Sequence, residues 1–271
     1  MDKNQVLTKL LNALIKKDKL SYKLPKTYSA KVHLYNKIAL KREPSDLSEE
    51  ILTLDDQYRR LELINTKLTN SELLKSINEE FKIELTEGDK VSLWFGDITT
   101  IYADAIVNSC NDDLYSYGIS KEHSLDSDIN VKSGLRLRIK SNKIMNDNKL
   151  KESEVFISRG YNLPCDFILQ VYNKKVEDKL TDEDKEALRK TYLNILDCAK
   201  NNQIRNIVIP CISTGYNNFD IDQSIIIAVD TIINYLKFNG KFFNRIIIDT
   251  YTEDNYKKYL KYFKKLNKRE S

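Results

Sequence analysis

Several short stretches of this 271-residue chain hold side chains able to do chemistry. In Gly96-Asp97-Ile98-Thr99 a carboxylate follows directly on an apolar run. There it can accept a hydrogen bond from an exocyclic amine such as that of adenine, or close an Asx-turn at a strand end. Asn108 and Asn111 bracket a small-residue pair; an amide both donates to and accepts from a sugar hydroxyl, and it equally suits a turn. Ile209-Pro210-Cys211-Ile212-Ser213-Thr214-Gly215 runs from an apolar segment into a small-residue loop, ahead of a helix predicted to begin near Ile221. Such a loop can turn several backbone N–H groups toward one point, and with the helix N-terminus it makes an anion site suited to a diphosphate. It contains one glycine, so Asn217 and Asn218 must supply any further positive φ, which Asn tolerates better than most residues. Tyr251 follows the last apolar run, where its ring either stacks a base for about 1–3 kcal/mol or packs against the protein. His33 and His123 are isolated; His33 reads as a helix-surface residue, and His123, in a polar run, as a candidate.

The elements that must position these groups are legible as changes of period. Before residue 79 the apolar residues recur at helical spacing: Val6, Leu7, Leu10, Leu11 and Leu14, then Leu34 and Ile38, then Ile51, Leu52, Leu54, Tyr58 and Leu61. Pro25 and Pro44 mark the breaks. This predicts a helical N-terminal extension over 1–78 and a second unit over 79–271. FKIEL (81–85) and VSLWF (91–95) flank Glu87-Gly88-Asp89 and predict a strand pair. AIVN (105–108), VFIS (155–158), FILQVY (167–172), IVIP (207–210) and RIIID (245–249) predict buried strands. Helices are expected over roughly 126–147, 182–202 with Thr181-Asp182-Glu183 as its cap, 221–238 and 253–267. Strands alternating with helices imply an α/β fold, a mixed, mostly parallel sheet sandwiched between helices. The polar groups gather where strands stop, the edge at which open α/β sheets hold ligands.

Composition narrows the class. Hydrophobic residues make up 41% of the chain, enough for a proper core, and 44 Lys and Arg stand against 40 Asp and Glu. The one basic block, Lys257, Lys258, Lys261, Lys264, Lys265, Lys268 and Arg269, reads as a solvated helix face, so nucleic acid is not the expected partner. Cys110, Cys165, Cys198 and Cys211 lack CxxC spacing, and no apolar run is long enough to span a bilayer. A cytoplasmic protein with reduced thiols and no membrane partner is expected.

Taken together, GDIT after a strand, DAIVNSCN (104–111), ISTG (212–215) after a buried strand and AVDT (228–231) in a late helix resemble a macrodomain, the three-layer α/β/α fold that binds ADP-ribose. Leu24-Pro25, Lys41-Arg42-Glu43-Pro44 and Leu54-Asp55-Asp56-Gln57-Tyr58 are similar to the extension of the bacterial zinc-dependent, sirtuin-operon-linked protein-ADP-ribose hydrolases. The resemblance implies that Asp97 holds the adenine amine and Ile98 an adjacent backbone contact. It further implies that Asn111 meets the distal ribose, that Ser213, Thr214 and Gly215 wrap the diphosphate, and that Tyr251 covers the adenine. Asp126, in Ser124-Leu125-Asp126-Ser127, takes the place of the family's aspartate beside the distal ribose.

The departures from that family are equally specific. Tyr117, Glu122 and Ser124 stand where the subclass has its zinc ligands, and His123 is displaced by one residue, so no zinc cofactor is expected. Asn130 replaces a histidine, and Tyr216-Asn217-Asn218-Phe219-Asp220 replaces the glycine-rich second loop, with Tyr216 a ligand-binding candidate. Gln170-Val171-Tyr172-Asn173-Lys174 stands in place of another family turn. Asp112 and Asp113 add negative charge near the distal ribose. The resemblance therefore implies an ADP-ribose-binding module for ADP-ribosylated protein or free ADP-ribose that has lost zinc-dependent catalysis. Two alternatives stand beside it. One is a metal-independent hydrolase removing mono-ADP-ribose from protein, with Asp126 as general base and Asn111 orienting the ribose. The other is a degenerate scaffold for a protein partner, its cleft filled by Tyr117 or Tyr216.

Overall fold

A computed structural model describes residues 1–110, 112, 114, 124–145, 149–215 and 217–270. Among them, helices α1 (Lys3–Lys17), α2 (Tyr28–Lys41) and α3 (Glu49–Ile64) come first. The short strand β1 (Thr69–Asn70), helix α4 (Ile77–Phe81), and strands β2 (Val91–Phe95) and β3 (Ile101–Ser109) follow. Helices α5 (Leu125–Ser133) and α6 (Leu135–Met145) lead to strands β4 (Val155–Arg159) and β5 (Cys165–Val171). The chain closes with α7 (Asp182–Asn201), β6 (Asn206–Pro210), α8 (Ile221–Asn239), β7 (Arg245–Thr250) and α9 (Glu253–Glu270).

The strands form one sheet in the order β2-β7-β6-β3-β5-β4, with β1 paired to the start of β3. The β4–β5 pairing is antiparallel and the rest are parallel, so β2, β7, β6, β3 and β5 all end at one edge. Period-two alternation divides the two faces. Ala105, Val107, Leu169, Ile207, Ile209, Ile246 and Ile248 face a core shared with α7, α8 and α9. Ile106, Ile168, Val208 and Ile247 face one shared with Ile129 of α5 and Leu137 of α6. This is the expected three-layer α/β/α sandwich.

A fourth, helical layer covers α5 and α6. Leu7, Leu10, Leu11 and Leu14 of α1 are fully buried, with Tyr35 and Tyr58, against Val131, Leu135 and Ile139. Each such leucine contributes about 1.5–3 kcal/mol by leaving water. Asp55 of α3 reaches through this layer: it accepts from the Tyr35 hydroxyl and, at 2.7 Å, from the Leu135 N–H that opens α6. Gly134, between α5 and α6, has φ +94°, and a Cβ there would lie 2.7 Å from Asp55 Oδ2, so the joint requires glycine. Asp56 accepts from Arg136 Nε at 2.8 Å and Asn162 Nδ2 at 2.9 Å. Two adjacent carboxylates thus fasten the helical layer to the α5–α6 joint.

The structure overturns one expected strand. FKIEL is not paired: Phe81 ends α4, and Ile83 and Leu85 enter the core from a connecting segment. The signal for α4 was the capping box Ser76-Ile77-Asn78-Glu79, in which Ser76 Oγ accepts from the Glu79 N–H while the Glu79 carboxylate accepts from the Ser76 N–H. Helix α9 buries Tyr259 and Phe263, while Lys257 pairs with Glu253 at 2.7 Å and Lys258 with Asp254 at 3.5 Å. The four cysteines are free, and no described helix is long and apolar enough to cross a membrane.

Candidate functional site

At the end of β2, Asp97 opens a one-turn 3-10 helix, Ile98–Thr100. Its Oδ1 accepts from the Thr99 N–H at 2.9 Å and the Thr99 hydroxyl at 2.5 Å, while its Oδ2 accepts from Lys132 Nζ of α5 at 2.8 Å. The Asx-turn therefore forms, and it leaves the carboxylate at the sheet edge. Partial burial pushes the carboxyl up, but the Lys132 ammonium and the Thr99 donors outweigh it and hold it below the ordinary aspartate range. Ile98 is buried in the core beneath, so only its backbone can meet a ligand.

The end of β3 anchors the next group. Asn108 is fully buried within the strand, and its Nδ2 donates to Asp126 Oδ1 at 2.8 Å. Asn130, one helical turn beyond Asp126, donates to the same oxygen at 2.8 Å. Asn108 is thus not a group that meets a sugar directly, as its place in the sequence suggested, but one that holds the carboxylate. Ser124 caps α5, its Oγ accepting from the Ser127 N–H at 3.1 Å. Asn111, Asp113, Tyr117, Glu122, His123 and Tyr216 lie outside the described residues. Asp112 is paired with Lys149 at 2.7 Å, which offsets the negative charge expected there.

Beyond β6, the loop from Cys211 to Asp220 turns back on itself. Ser213 and Asn218 take positive φ, +65° and +57°; the second of these was expected, the first was not. Ser213 O accepts from the Phe219 N–H at 3.0 Å, Gly215 O from the Asn218 N–H at 3.1 Å, and Thr214 donates to Cys211 O at 3.1 Å. Asn217 ties the loop to the segment that follows β5 by donating to Asn173 O at 2.8 Å. Ser213 is buried, with its Oγ lacking a partner among the described residues. A Cβ added to exposed Gly215 would meet nothing within 4 Å, so open space faces the loop. The N-terminus of α8 is already capped by Asp220, which accepts from the Gln223 N–H at 2.8 Å. An anion here must therefore be met by the loop itself rather than by the helix end.

At the end of β7, Tyr251 is 71% exposed. Asp249 beside it is buried, with Oδ1 unpartnered among the described residues. Burial, with the charge of Asp97 adding to it, pushes its carboxyl well above the ordinary range. Lys132 carried no signal in the sequence, because it acquires its partners only across the sheet edge, and Asp249 none, because its burial comes from the packed fold. The i, i+4 spacing of Asp126 and Asn130 was a signal that could have shown their contact.

Asp97, Asp126, Ser213, Thr214, Gly215 and Tyr251 thus lie at or just beyond the same ends of parallel strands. Residues 107–228 match the family model described as Macro domain. A protein-ADP-ribose hydrolase of Staphylococcus aureus (strain MSSA476) is 27% identical over 243 residues, spanning 89% of this chain and 87% of that protein. The ADP-ribose glycohydrolase MACROD2 of Homo sapiens is 29% identical over 225 residues, 83% of this chain and 51% of that protein. Among solved structures, the Oceanobacillus iheyensis macrodomain with MES bound is 27% identical with a TM-score of 0.59, covering 66% of this chain and 93% of its own. The Trypanosoma brucei macrodomain in complex with ADP-ribose, at 20% identity, shares the fold with a TM-score of 0.64 over 88% of this chain and 97% of its own.

Proposed function

We propose that this chain is a macrodomain and binds ADP-ribose, free or attached to protein, across the strand ends of its sheet. The carrying observation is convergence: a carboxylate after β2, a carboxylate fixed against β3, an open loop after β6 and an exposed ring after β7 meet one edge. In this reading Asp97 accepts from the adenine amine beside the Ile98 backbone, and Tyr251 covers the base. Ser213, Thr214 and Gly215 face the diphosphate, with Tyr216 adjoining them. Asn111 and Asp126 meet the distal ribose. Asp126 and Lys132 are six residues apart on α5, about 9 Å along the axis, so one helix serves both ends of the ligand. The binding unit is residues 79–271, with 1–78 as its helical extension. Four free cysteines support a cytoplasmic setting.

The test is isothermal titration calorimetry with ADP-ribose and AMP. Micromolar binding of ADP-ribose with much weaker binding of AMP is expected. Absence of ADP-ribose binding overturns the proposal.

One observation favours a second reading, hydrolysis without zinc. Asp126 Oδ1 is fixed by two amides, as suits a general base aimed at a water beside the anomeric carbon. Ser124, at a position where related enzymes bind zinc, is engaged as a helix cap. Release of ADP-ribose from a mono-ADP-ribosylated protein by metal-free enzyme tests it; activity only after zinc is added contradicts it.

A further inference from the structure

We propose that the open groove between helix α2 and the segment leading into it, residues 18–27, is a docking site for an acidic, extended segment of a partner protein. Its residues belong to the helical layer and not to the cleft, so the two sites stand or fall separately.

Residues 1–42 carry eleven Lys and Arg against Asp2, Asp18 and no Glu, whereas residues 43–271 hold the other 33 against 38. Spread along the segment, these lysines form no visible block in the sequence; the fold gathers them. Lys31, near the start of α2, donates to Asn4 Oδ1 at 2.9 Å, and Arg42, just past its end, pairs at 3.0 Å with Asp18, just past the end of α1. The two helices therefore run in the same direction, and residues 18–27 must return along them. Leu20 and Leu24 pack this returning segment onto the helical core, and Thr27 ends it by accepting from the Ala30 N–H at 3.3 Å. A groove of about 680 Å³ remains. Tyr22, Lys23 and Pro25 line it from the returning segment, and Ala30, His33 and Lys37, at helical spacing, from α2. The Lys37 ammonium lies 4.9 Å from the Tyr22 ring centroid and joins the two walls.

The charge around this groove is uncompensated. Both acidic groups of the segment are engaged, Asp18 by Arg42 and Asp2 as the cap of α1, accepting from the Gln5 N–H at 2.9 Å. Lys16, Lys17, Lys19, Lys23, Lys26 and Lys37 form no ion pair among the described residues, and no acidic side chain lines the groove. The basic helix α9 differs, because Glu253 and Asp254 offset Lys257 and Lys258 there. A concave surface of one sign concentrates the field and draws the opposite charge. An extended polypeptide suits it, since successive side chains point to opposite sides. Consecutive Asp or Glu residues then meet Lys23 on one wall and Lys37 on the other, above buried Leu34. A nucleobase suits it less, because Tyr22, the ring it would stack on, already carries the Lys37 ammonium.

The experiment is fluorescence anisotropy of the whole chain with a labelled peptide of alternating Glu and Asp, a Gln/Asn peptide of the same length, and single-stranded DNA of the same net charge. Wild-type protein is expected to bind the acidic peptide about tenfold or more tightly than either comparison, and to lose most of that affinity between about 50 and 500 mM salt. The double variant Lys23→Glu/Lys37→Glu should bind it about tenfold or more weakly, whereas Lys261→Glu/Lys265→Glu, the same change of charge on α9, should bind as wild type does. Equal wild-type affinity for the two peptides overturns the proposal, and this comparison needs no variant to fold. Tighter binding of the DNA assigns the groove to nucleic acid and overturns it, and so do equal losses in the two double variants, which would leave only attraction by net charge. Calorimetry with ADP-ribose reads the cleft separately: Lys23→Glu/Lys37→Glu should bind it like wild type, and a wild-type chain that binds the acidic peptide but not ADP-ribose overturns the proposed function while supporting the groove.

Discussion

Asn130 grips Asp126 twice, its Nδ2 lying 2.8 Å from the carboxylate Oδ1 and 2.9 Å from the main-chain oxygen of the same residue. With Asn108 on the other side, the carboxylate is held in one orientation. Asp126→Ala leaves two buried amide donors without their acceptor, which costs about 1–3 kcal/mol, read as a lower urea midpoint. We expect demodification of a mono-ADP-ribosylated protein to be lost in this variant while ADP-ribose still binds. Unchanged turnover would remove Asp126 from the reaction.

Asp97 separates the base site from the rest of the cleft. Asp97→Ala is expected to weaken AMP and ADP-ribose by the same factor, roughly tenfold or more, because both carry the amine that the carboxylate accepts from. Calorimetry on the two ligands checks this. A loss confined to ADP-ribose would place Asp97 at the diphosphate or distal ribose instead.

Gly215 separates stability from binding. A methyl group there meets no protein atom within 4 Å, so Gly215→Ala should stay within about 0.5 kcal/mol of wild type in a denaturant melt. Its affinity for ADP-ribose should nonetheless fall, because the methyl occupies space facing the diphosphate. Unaltered affinity would show that the ligand does not approach this part of the loop.

What the sequence disclosed and what it concealed follow from the range of the forces involved. β3, β5, β6 and β7 were legible because β-branched runs between helical stretches are local signals, and α7 was announced by its Thr181 cap. FKIEL misled because Ile83 and Leu85 alternate like strand residues, yet their burial comes from a connecting segment folded onto the core. The site divided the same way. Asp97 was legible from its strand end, but Lys132 lies 35 residues further on, and nothing near Lys132 in the chain marks its partner. Asn108 reads from the sequence either as a sugar-binding amide or as a turn residue, because an amide at a strand end carries no mark of whether it faces solvent or, as here, a buried carboxylate.

Asp249 makes stability depend on pH in a definite direction. Its carboxyl is raised in the folded protein by burial and then by the nearby Asp97 charge, so the folded state holds the proton more tightly than the unfolded chain. Stability from this group is present below the unfolded value of about 4 and declines as pH rises toward the folded one. Asp249→Asn removes that decline. The variant should melt higher than wild type at pH 7, and the gap should close as pH approaches 4. A gap that widens in acid would mean that Asp249 is ionised in the fold.

Asp55 decides whether the helical layer is a passenger or a support. It is fully buried and accepts from the Tyr35 hydroxyl and the Leu135 N–H. Asp55→Ala leaves the Tyr35 hydroxyl and the Leu135 N–H without their buried acceptor, a loss of about 1–3 kcal/mol for each, whereas Asp55→Asn keeps an acceptor for Leu135 and should lose less. Because Leu135 begins α6 immediately after the Gly134 joint, the strain passes to α5, which carries Asp126, Asn130 and Lys132. We therefore expect ADP-ribose affinity in Asp55→Ala to decline at temperatures below the main melting transition. Removal of residues 1–64 exposes Val131, Leu135 and Ile139 and should yield a chain that neither melts cooperatively nor binds. A chain of residues 65–271 that folds and binds ADP-ribose as well as the whole would show the layer to be dispensable, and the path from Asp55 to the cleft with it.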